Sequence, residues 1–375
     1  MKPKIFVIHS SGSLSGGERV SLSIYHGLHS FFTFVFFSPQ RAIFLEDMGV
    51  ISYFPSSLNI LTTVFTLYRC VIRESPDIVH AHGVRAGFLI KIITPILLIR
   101  GKKPRIIYTI HGLHFLHRKT IITGCLFLFE KISNYCVDRI ICVGQDDGKL
   151  LISKNLAPLE RVQVIENGVK NTAVLPHILR KEIKDFISKR FVIGTIARLH
   201  YQKDIKTLLR AMNLLDQHLF CLLVIGSGPD LNMLQKEANN LHLTNILFLG
   251  DGQNTLFFIK EVFDVSVLST RWEGLPIALL ESMILKKPVI ASRVHGVVEL
   301  VHNNQTGLLF ERGDFNALAR CIRFIQEHPK DSEYMVQRAY QLVTERYSIS
   351  GMVSQYHVVY NSLISHTNHE NSSNQ

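Results

Sequence analysis

Short apolar runs alternate with helix-length stretches from the start of the chain to about residue 170. Each run has the length of a strand, and most are separated by enough residues for a helix. Strands that are apolar throughout and alternate with helices are typical of a parallel sheet covered on both faces. The predicted strands are Ile5–Ile8, Thr33–Phe37, Asp77–His80, Arg105–Ile110, Arg139–Val143 and Val162–Ile165.

The alternation starts again after the highly charged segment Arg180–Arg190, which we interpret as a surface helix or a linker. The second set of predicted strands is Phe191–Ile196, Phe220–Ile225, Ile246–Leu249, Val265–Leu268 and Pro288–Ala291. We therefore predict an α/β chain of two Rossmann-like domains, residues 1–175 and 176–347. The polar stretch 367–375 is predicted to be disordered. Because parallel sheets bind ligands at the carboxyl ends of their strands, we expect the two sheets to face each other across a ligand-binding cleft.

The composition fits two buried cores, since 47% of the 375 residues are hydrophobic and only 19% are charged. The formal charge of +11 is concentrated in the first half. Between Arg85 and Lys119 there are eight basic residues and no acidic one. Such a segment favours an anionic partner, and the apolar run Ile92–Ile99 inside it favours peripheral docking on an anionic membrane surface. The alternative is that Ile92–Ile99 is a buried helix and the cations are a solvated face.

The six cysteines form no CxxC pair, so neither a disulfide framework nor a zinc site is expected, and a reducing cytoplasm fits best. The longest apolar stretch, Phe88–Ile99, is interrupted by Lys91 and Pro95 and is shorter than the ~20 residues that cross a bilayer. We therefore expect a cytoplasmic protein, peripheral on the inner face of the cytoplasmic membrane.

Glycines follow predicted strands at two places where a backbone could approach a phosphate. Gly16 and Gly17 precede a helix whose first N–H groups could bind an anion. Gly226 and Gly228 follow the strand Phe220–Ile225 in the same way. Neither loop matches the spaced dinucleotide fingerprint or the Walker A pattern, so plain tight turns are the alternative.

Two cations, Arg198 and Lys203, follow the strand Phe191–Ile196. Arginine offers a planar fork for phosphate oxygens and lysine a compact point charge, so the pair suits a diphosphate whose negative charge grows as a bond to it breaks. Ordinary surface cations would show the same spacing.

Two glutamates, Glu273 and Glu281, flank a predicted helix start at Pro276. Glu273 would lie in the loop before the helix and Glu281 about five residues inside it, roughly 7–8 Å along the axis, which lets two carboxylates contact two parts of one polyhydroxylated ligand. The helix N-terminus between them could face a phosphate. The alternative is a helix-start glutamate and an unrelated one.

Histidines follow two of the predicted strands. His111 comes directly after Arg105–Ile110, where an imidazole could orient a hydroxyl or a leaving group, although a structural histidine is the alternative. No metal site is expected, because the remaining histidines of this region lack metal-ligand spacing with a matching carboxylate. They are His80, His82, His114 and His117.

Taken in order, these motifs resemble those of the family 4 glycosyltransferases, retaining enzymes of the GT-B fold, over residues 4–363. The matching segments are Gly16–Arg19, Asp77–Gly83, Thr109–Gly112, Glu166–Val169, Ala197–Lys203, Gly226–Pro229, Glu273–Glu281, Lys287–Ser292, Gly296–Glu299 and Thr306–Leu308. The sequence departs from the family pattern at Ala197, Gly144, His295 and Val298, and at Asp204, where glycine is common. Both cations and both glutamates remain.

The resemblance implies that Arg198 and Lys203 hold the donor diphosphate, that Glu281 binds the ribose and that Glu273 contacts the sugar hydroxyls. It implies that His111 lies at the sugar. The remaining implied donor-site residues are Gly16, Gly17, Gly226, Gly228, Gly274, Leu275 and Pro276. The first domain would take the acceptor, the second the nucleotide sugar, and a helix over 348–366 would cross back to the first domain.

The implied activity is metal-independent transfer of a sugar, with retention, from a nucleotide diphosphate sugar to a hydroxyl of a saccharide acceptor. A lipid-linked acceptor in bacterial surface-polysaccharide assembly would suit the membrane prediction, and no cofactor is expected. The alternatives are a sugar-nucleotide epimerase or phosphorylase of the same fold, or a non-catalytic subunit that binds a nucleotide sugar. A nucleic-acid partner is not expected, because no recognition motif appears.

Overall fold

The structure is a computed structural model that describes residues 2–11, 16–55, 59–99, 104–113, 121–172, 174–252 and 254–372. The chain divides into two units: Met1–Gly168 together with Ile349–Gln375, and Val169–Ser348. The second unit begins at Val169, whereas the sequence predicted a start at residue 176. The reason is that the backbone N–H of Val169 already donates to the carbonyl of Tyr347, at 2.8 Å, inside the second unit.

The first unit is built on a seven-stranded parallel sheet in the order β3-β2-β1-β4-β5-β6-β7. Its strands are β1 (Lys4–Ile8), β2 (Thr33–Phe37), β3 (Ser52–Tyr53), β4 (Ile78–His82), β5 (Arg105–Ile110), β6 (Arg139–Cys142) and β7 (Val162–Val164). Its helices are α1 (Gly16–Leu28), α2 (Ile43–Asp47), α3 (Ile60–Glu74), α4 (Val84–Ile99), α5 (Ile121–Ser133), α6 (Gln145–Ser153) and α14 (Ile349–Ser372). The sequence analysis missed β3, because two residues are too short to show a periodicity.

Alternate side chains of β4 lie on the two faces of this sheet, as the two-residue period of a strand requires. Val79 and Ala81 are buried in an apolar core that includes Leu89 of α4. His80 and His82 are buried on the opposite face, in the part of the unit where α1 and α14 pack. One face of β4 is therefore apolar and the other carries imidazoles.

Helix α14 completes the first unit by packing against α1 and β4. A Cβ added at Gly27 of α1 would lie 2.5 Å from Cγ1 of Val353, so glycine permits the close approach of the two helices. The helix runs to Ser372, beyond the predicted end at residue 366. The helix continues past the predicted end because the polar residues from Thr367 to Ser372 include neither glycine nor proline, which would stop a helix.

The second unit is built on a six-stranded parallel sheet in the order β10-β9-β8-β11-β12-β13. Its strands are β8 (Phe191–Ile196), β9 (Phe220–Ile225), β10 (Ile246–Gly250), β11 (Val265–Leu268), β12 (Val289–Ser292) and β13 (Leu308–Phe310). Its helices are α7 (Lys181–Ile187), α8 (Ile205–Met212), α9 (Leu231–Asn240), α10 (Thr255–Phe257), α11 (Ile277–Ile284), α12 (Phe315–Glu327) and α13 (Pro329–Arg346). The charged segment Arg180–Arg190 contains α7, and strand β13 was missed.

The prediction of two parallel α/β sheets is confirmed, and both sheets reverse their strand order once. The reversal lies between β1 and β4 in the first sheet and between β8 and β11 in the second. Loops that follow the two strands at such a point leave in opposite directions and open a crevice at the carboxyl ends of the strands. The candidate chemistry of each unit is therefore to be sought there.

Candidate functional site

In the second unit the order reversal brings together two of the predicted site residues. Lys203 ends the short helical turn Tyr201–Lys203 that follows β8, and Glu273 lies in the loop between β11 and α11. The Lys203 ammonium donates to Oε1 of Glu273 at 2.5 Å. The side chains are 20% and 8% exposed, so the pair is largely shielded but still reaches solvent through the lysine.

Backbone contacts hold the two loops together beside this pair. The N–H of Arg271 donates to the carbonyl of Gln202 at 2.8 Å, and Nε2 of Gln202 donates to the carbonyl of Trp272 at 2.8 Å. The hydroxyl of Thr270 also donates to the carbonyl of Gln202, at 3.1 Å. Because these bonds involve the residues directly before Lys203 and Glu273, they fix the geometry of the ion pair.

Asp204, the position where the family often has glycine, adopts a left-handed conformation with φ of 45°. Its carboxylate accepts from Nη2 of Arg271 at 2.7 Å and from the hydroxyl of Thr207 at 2.9 Å. The guanidinium carbon of Arg271 also lies 4.3 Å from the ring centroid of Tyr201. A non-glycine residue in this conformation carries a backbone penalty, and the ion pair with Arg271 offsets it.

Arg198, the other predicted cation, lies in the loop directly after β8 and is exposed. Lys203 lies on that same loop. Within the described residues Arg198 forms no ion pair. Its guanidinium is therefore available to an anion at the carboxyl end of the sheet.

Gly226 and Gly228 are required by the backbone of the neighbouring loop. Gly226 has φ of 131°, and a Cβ there would collide with the carbonyl oxygen of Ala197. A Cβ at Gly228 would collide with the carbonyl oxygen of Leu199. The N–H of Leu199 donates to the carbonyl of Ser227 at 2.8 Å, which ties the two loops together. These glycines thus let the loop after β9 support the loop that carries Arg198.

The loop before α11 presents backbone more than side chains. Gly274, Leu275 and Pro276 are buried, Pro276 precedes the first helical residue, and Glu281 is a half-buried residue on the fifth position of α11. A Cβ added at Gly296, where φ is 76°, would collide with the carbonyl oxygen of Gly274. A ligand at this helix start would therefore meet N–H groups, with Glu281 one turn further on.

In the first unit Gly17, at the start of the helix after β1, contacts His111, which follows β5, the strand next to the order reversal. A Cβ added at Gly17 would lie 3.0 Å from Cδ2 and 3.2 Å from Nε2 of His111, so the imidazole packs on the start of α1. His111 is also hydrogen-bonded to His82, with 3.2 Å between Nε2 and Nδ1. Gly16, the first residue of α1, is exposed. The sequence analysis proposed Gly16, Gly17 and His111 without foreseeing the contact between the last two.

Of the three described cations in the basic segment Arg85–Lys119, Lys91 is buried and Arg105 forms an ion pair, which corrects that part of the prediction. Lys91 is buried on α4, donates to Oε2 of Glu130 at 2.6 Å and lies 4.1 Å from the ring centroid of Tyr108. Arg105 pairs with Asp138 at 3.2 Å, and Arg85 is exposed. The other five cations lie outside the described residues. They are Arg100, Lys102, Lys103, Arg118 and Lys119, and the same is true of His114 and His117.

Two family models match the chain one after the other. "Glycosyltransferase Family 4" matches residues 14–172, and "Glycosyl transferases group 1" matches residues 179–342. Together they cover every predicted site residue described above and every strand of the two sheets except β1. The chain belongs to the family 4 glycosyltransferases.

Curated relatives of this glycosyltransferase are bacterial sugar transferases. It is 28% identical over 279 residues to the UDP-Gal:alpha-D-GlcNAc-diphosphoundecaprenol alpha-1,3-galactosyltransferase of Escherichia coli, with 71% of this chain and 70% of the relative covered. It is 28% identical over 278 residues to the capsular polysaccharide biosynthesis glycosyltransferase CapM of Staphylococcus aureus, with 71% of each covered.

The glycosyltransferase has the GT-B fold of solved relatives. Anabaena Alr3699/HepE in complex with UDP-glucose matches with a TM-score of 0.79 and 18% identity, over 96% of this chain and 99% of that one. The sucrose-phosphate synthase of Thermosynechococcus elongatus matches with a TM-score of 0.80 and 16% identity, over 97% and 100%. The likeness therefore spans both units of the glycosyltransferase.

Among the residues that the structure describes, no group of three or more His, Cys, Asp or Glu side chains could hold a metal ion. No helix in the same ranges is both long and apolar enough to cross a bilayer.

Two parts of the glycosyltransferase site escaped the sequence analysis. The first is Arg271, whose partner Asp204 is 67 positions away, so no local pattern indicates the pair. The second is the histidine face of β4, where His80 and His82 were considered only as metal ligands. Their two-residue spacing on one predicted strand was the signal that could have placed them together.

Proposed function

We propose that the chain transfers a hexose-type sugar from a nucleotide diphosphate sugar to a hydroxyl of a saccharide acceptor, with retention and without a metal ion. The observation that carries the proposal is the Lys203–Glu273 pair at the order reversal of the second sheet. An ammonium group held at this crevice suits a diphosphate, and a carboxylate beside it suits sugar hydroxyls.

The proposed reaction breaks the bond between the anomeric carbon and the diphosphate oxygen, and that oxygen keeps the electron pair. The acceptor hydroxyl bonds to the anomeric carbon on the face that the diphosphate leaves. The proton of this hydroxyl passes to the departing phosphate, so no protein group is assigned as a general base. Arg198 and Lys203 stabilise the growing negative charge electrostatically, as a metal ion would otherwise do.

The remaining residues are proposed to bind and orient the donor. Glu273 keeps the Lys203 ammonium in place and contacts sugar hydroxyls, and Glu281 binds the ribose. His111 contacts the sugar, while the backbone around Gly17 borders the diphosphate and the acceptor. The close packing of Gly17 on His111 supports a common role for these two residues.

For the acceptor we propose a lipid-linked saccharide of bacterial surface-polysaccharide assembly. The activity of the Escherichia coli relative, on a diphosphoundecaprenol-linked sugar, supports this class. So does the C-terminal end of α4, where Ile96, Leu98 and Ile99 are exposed. We propose that this apolar end, with the cations that follow α4 in the sequence, docks the enzyme on an anionic cytoplasmic membrane surface.

A donor screen tests the proposed reaction. The purified chain is incubated with UDP-, GDP- and ADP-sugars, and thermal shift and nucleotide release are measured with and without EDTA. We expect one nucleotide class to raise the melting temperature and to be released as the diphosphate, with no loss in EDTA. Release that requires a divalent cation, or no binding of any donor, would contradict the proposal. An α-configured product from an α-linked donor, read by proton NMR, tests retention.

A further inference from the structure

A buried carboxylate follows Lys203 directly in the sequence. The side chain of Asp204 is 5% exposed, and the residue caps the start of α8. Moving a carboxylate out of water costs free energy unless a partner compensates its charge. Without such a partner, Asp204 would be an anion beside the ammonium that we assign to the donor diphosphate, and it would oppose the binding of that diphosphate.

Arg271 supplies the compensating charge. Its Nη2 donates to Oδ1 of Asp204 at 2.7 Å, and Oδ2 of the same carboxylate accepts from the hydroxyl of Thr207 at 2.9 Å. Within the part of the chain that the structure describes, Asp204 forms no second ion pair. The negative charge of Asp204 is therefore balanced by Arg271 alone.

The side chain of Arg271 spans the turn that carries Lys203. Its backbone N–H donates to the carbonyl of Gln202 at 2.8 Å, which holds the loop after β11 against this turn. The guanidinium carbon lies 4.3 Å from the ring centroid of Tyr201. One guanidinium thus contacts Tyr201 on one side of Lys203 in the sequence and Asp204 on the other, so it restrains the turn at both ends.

The two loops at the order reversal of the second sheet carry a small excess of positive charge. Residues 197–204 and 269–276 contain three cations and two carboxylates, namely Arg198, Lys203, Arg271, Asp204 and Glu273. With histidine neutral the sum is one positive charge, and without Arg271 it would be zero. Since a crevice of positive charge attracts an anion, loss of Arg271 would weaken the attraction of a diphosphate even though Arg271 is bonded to Asp204.

We propose that Arg271 is a positioning residue that neutralises Asp204 and so keeps the Lys203 ammonium on Glu273, where the donor diphosphate would meet it. This inference rests on the proposed function for the identity of the anion. Because Arg271 acts through Asp204, its importance should disappear when that carboxylate is removed. A residue that bound the donor directly would stay important in the absence of Asp204.

The test is a double-mutant cycle in the full-length protein. Arg271→Gln removes the charge but keeps an amide that can donate to Asp204, and we expect kcat/KM for sugar transfer to fall about 10–100-fold. Asp204→Gly removes the carboxylate and suits the left-handed backbone, so most of the transfer rate should remain. Adding Arg271→Gln to Asp204→Gly should then change kcat/KM by less than about twofold.

Two further variants separate the charge of Arg271 from its effect on stability. Arg271→Lys keeps the charge and should recover most of the loss seen in Arg271→Gln. Arg210→Gln breaks an ion pair elsewhere in the second unit, with Glu237 at 3.5 Å, and should leave kcat/KM at the wild-type value. In calorimetric titrations with UDP, GDP and ADP, Arg271→Gln should weaken binding of the nucleotide that the enzyme uses, and less so as salt is raised.

An unchanged kcat/KM in Arg271→Gln, or an equal loss in the presence and absence of Asp204, would overturn the inference. If no sugar is transferred and none of the three nucleotides binds, the proposed function fails instead. A crystal structure of Arg271→Gln then decides the inference on its own. We expect the Lys203 ammonium to lie beyond about 4 Å from the Glu273 carboxylate, and an unchanged Lys203–Glu273 pair would count against a positioning role.

Discussion

The ammonium nitrogen of Lys203 lies 2.5 Å from Oε1 of Glu273, although the two residues are 70 positions apart. Lys203 follows β8 and Glu273 follows β11, the two strands between which the order of the second sheet reverses. The topology of the sheet, and not the local sequence, therefore assembles the part of the site that we assign to the donor.

Removal of the Lys203 ammonium should separate activity from folding. We expect Lys203→Ala to lower the transfer rate by ~10²–10³-fold, because the leaving diphosphate loses a fixed cation. Steady-state kinetics give the rate, and a circular dichroism spectrum like that of the wild type shows that the fold is kept. Lys206→Ala is the matched control, since Lys206 pairs with Glu237 and is 41% exposed. Wild-type activity in Lys203→Ala would refute the assignment.

The free energy of unfolding of Asp204 variants should depend on backbone strain and on the loss of the ion pair with Arg271. Asp204→Ala loses the bond to Arg271 and keeps the unfavourable φ, so we expect a loss of about 2–3 kcal/mol in the free energy of unfolding. Asp204→Gly also loses the bond but relieves the strain, and should recover about 1 kcal/mol of that loss. Urea titrations measure both. Equal stability of the two variants would show that the left-handed backbone carries no penalty.

Two glycines with similar backbone angles test the close packing beside Glu273. Gly296 has φ of 76° and Gly313 has φ of 83°, but an added Cβ meets the carbonyl of Gly274 only at Gly296. Gly313→Ala should cost about 1–2 kcal/mol of stability from the backbone alone and leave activity unchanged. Gly296→Ala should cost more and raise the KM for the donor. Matching effects of the two substitutions on KM would exclude a role for this contact.

Acid should destabilise the first unit. Burial, with a contribution from His111, lowers the pKa of His9 and of His80 to about 3, and that of His82 is also well below 6.5. As the pH falls below 6.5, the unfolded chain binds protons that the folded chain does not, so stability is lost. Each histidine contributes about 1.4 kcal/mol per pH unit, or about 4 kcal/mol per unit for three.

Denaturant titrations between pH 7 and pH 4.5 measure this dependence. His9→Leu, which removes one of the three titrating groups, should have a shallower slope by about 1.4 kcal/mol per pH unit. Its stability at neutral pH also changes, because the bond from His9 to Ser21 is lost, so the slope is the relevant quantity. A slope equal to that of the wild type would mean that His9 is not a buried neutral imidazole.

Binding to anionic vesicles should depend on the exposed end of α4. We expect the protein to co-sediment with phosphatidylglycerol vesicles at low salt and to dissociate as salt is raised. Ile99→Glu places a carboxylate at an 86% exposed apolar position and should reduce binding several-fold. Met233→Glu, on α9 of the second unit, is the control for an added negative charge. Absence of binding by the wild-type protein would refute membrane docking.

The strands were largely predictable because parallel sheets bury them on both faces, which leaves continuous apolar runs in the sequence. The sequence also predicted a helix start at Pro276 with Glu281 inside the helix, because proline favours the start of a helix. Strands of two or three residues, such as Leu308–Phe310, carry too little pattern to be found.

The supporting contacts could not be predicted, because they join residues that only the fold brings together. Nothing near Lys91 in the sequence indicates Glu130, and a basic residue among basic neighbours favoured the surface over the core. In the same way, the sequence identified Asp204 only as a departure from a glycine of the family pattern, and it did not indicate that its carboxylate binds Arg271. Charge counts along a chain do not distinguish an exposed cation from a buried one.

Helix α14 also sets the order in which the protein can mature on the ribosome. Tyr360, whose hydroxyl bonds to His80, is translated after the entire second unit. The buried contacts of β4 therefore cannot be completed until α14 has been synthesised. A nascent chain that stops at Ser348 exposes an imidazole-lined sheet face to solvent. We expect such truncated chains to be degraded, and the buried histidines of β4 to be covered only after α14 has been synthesised.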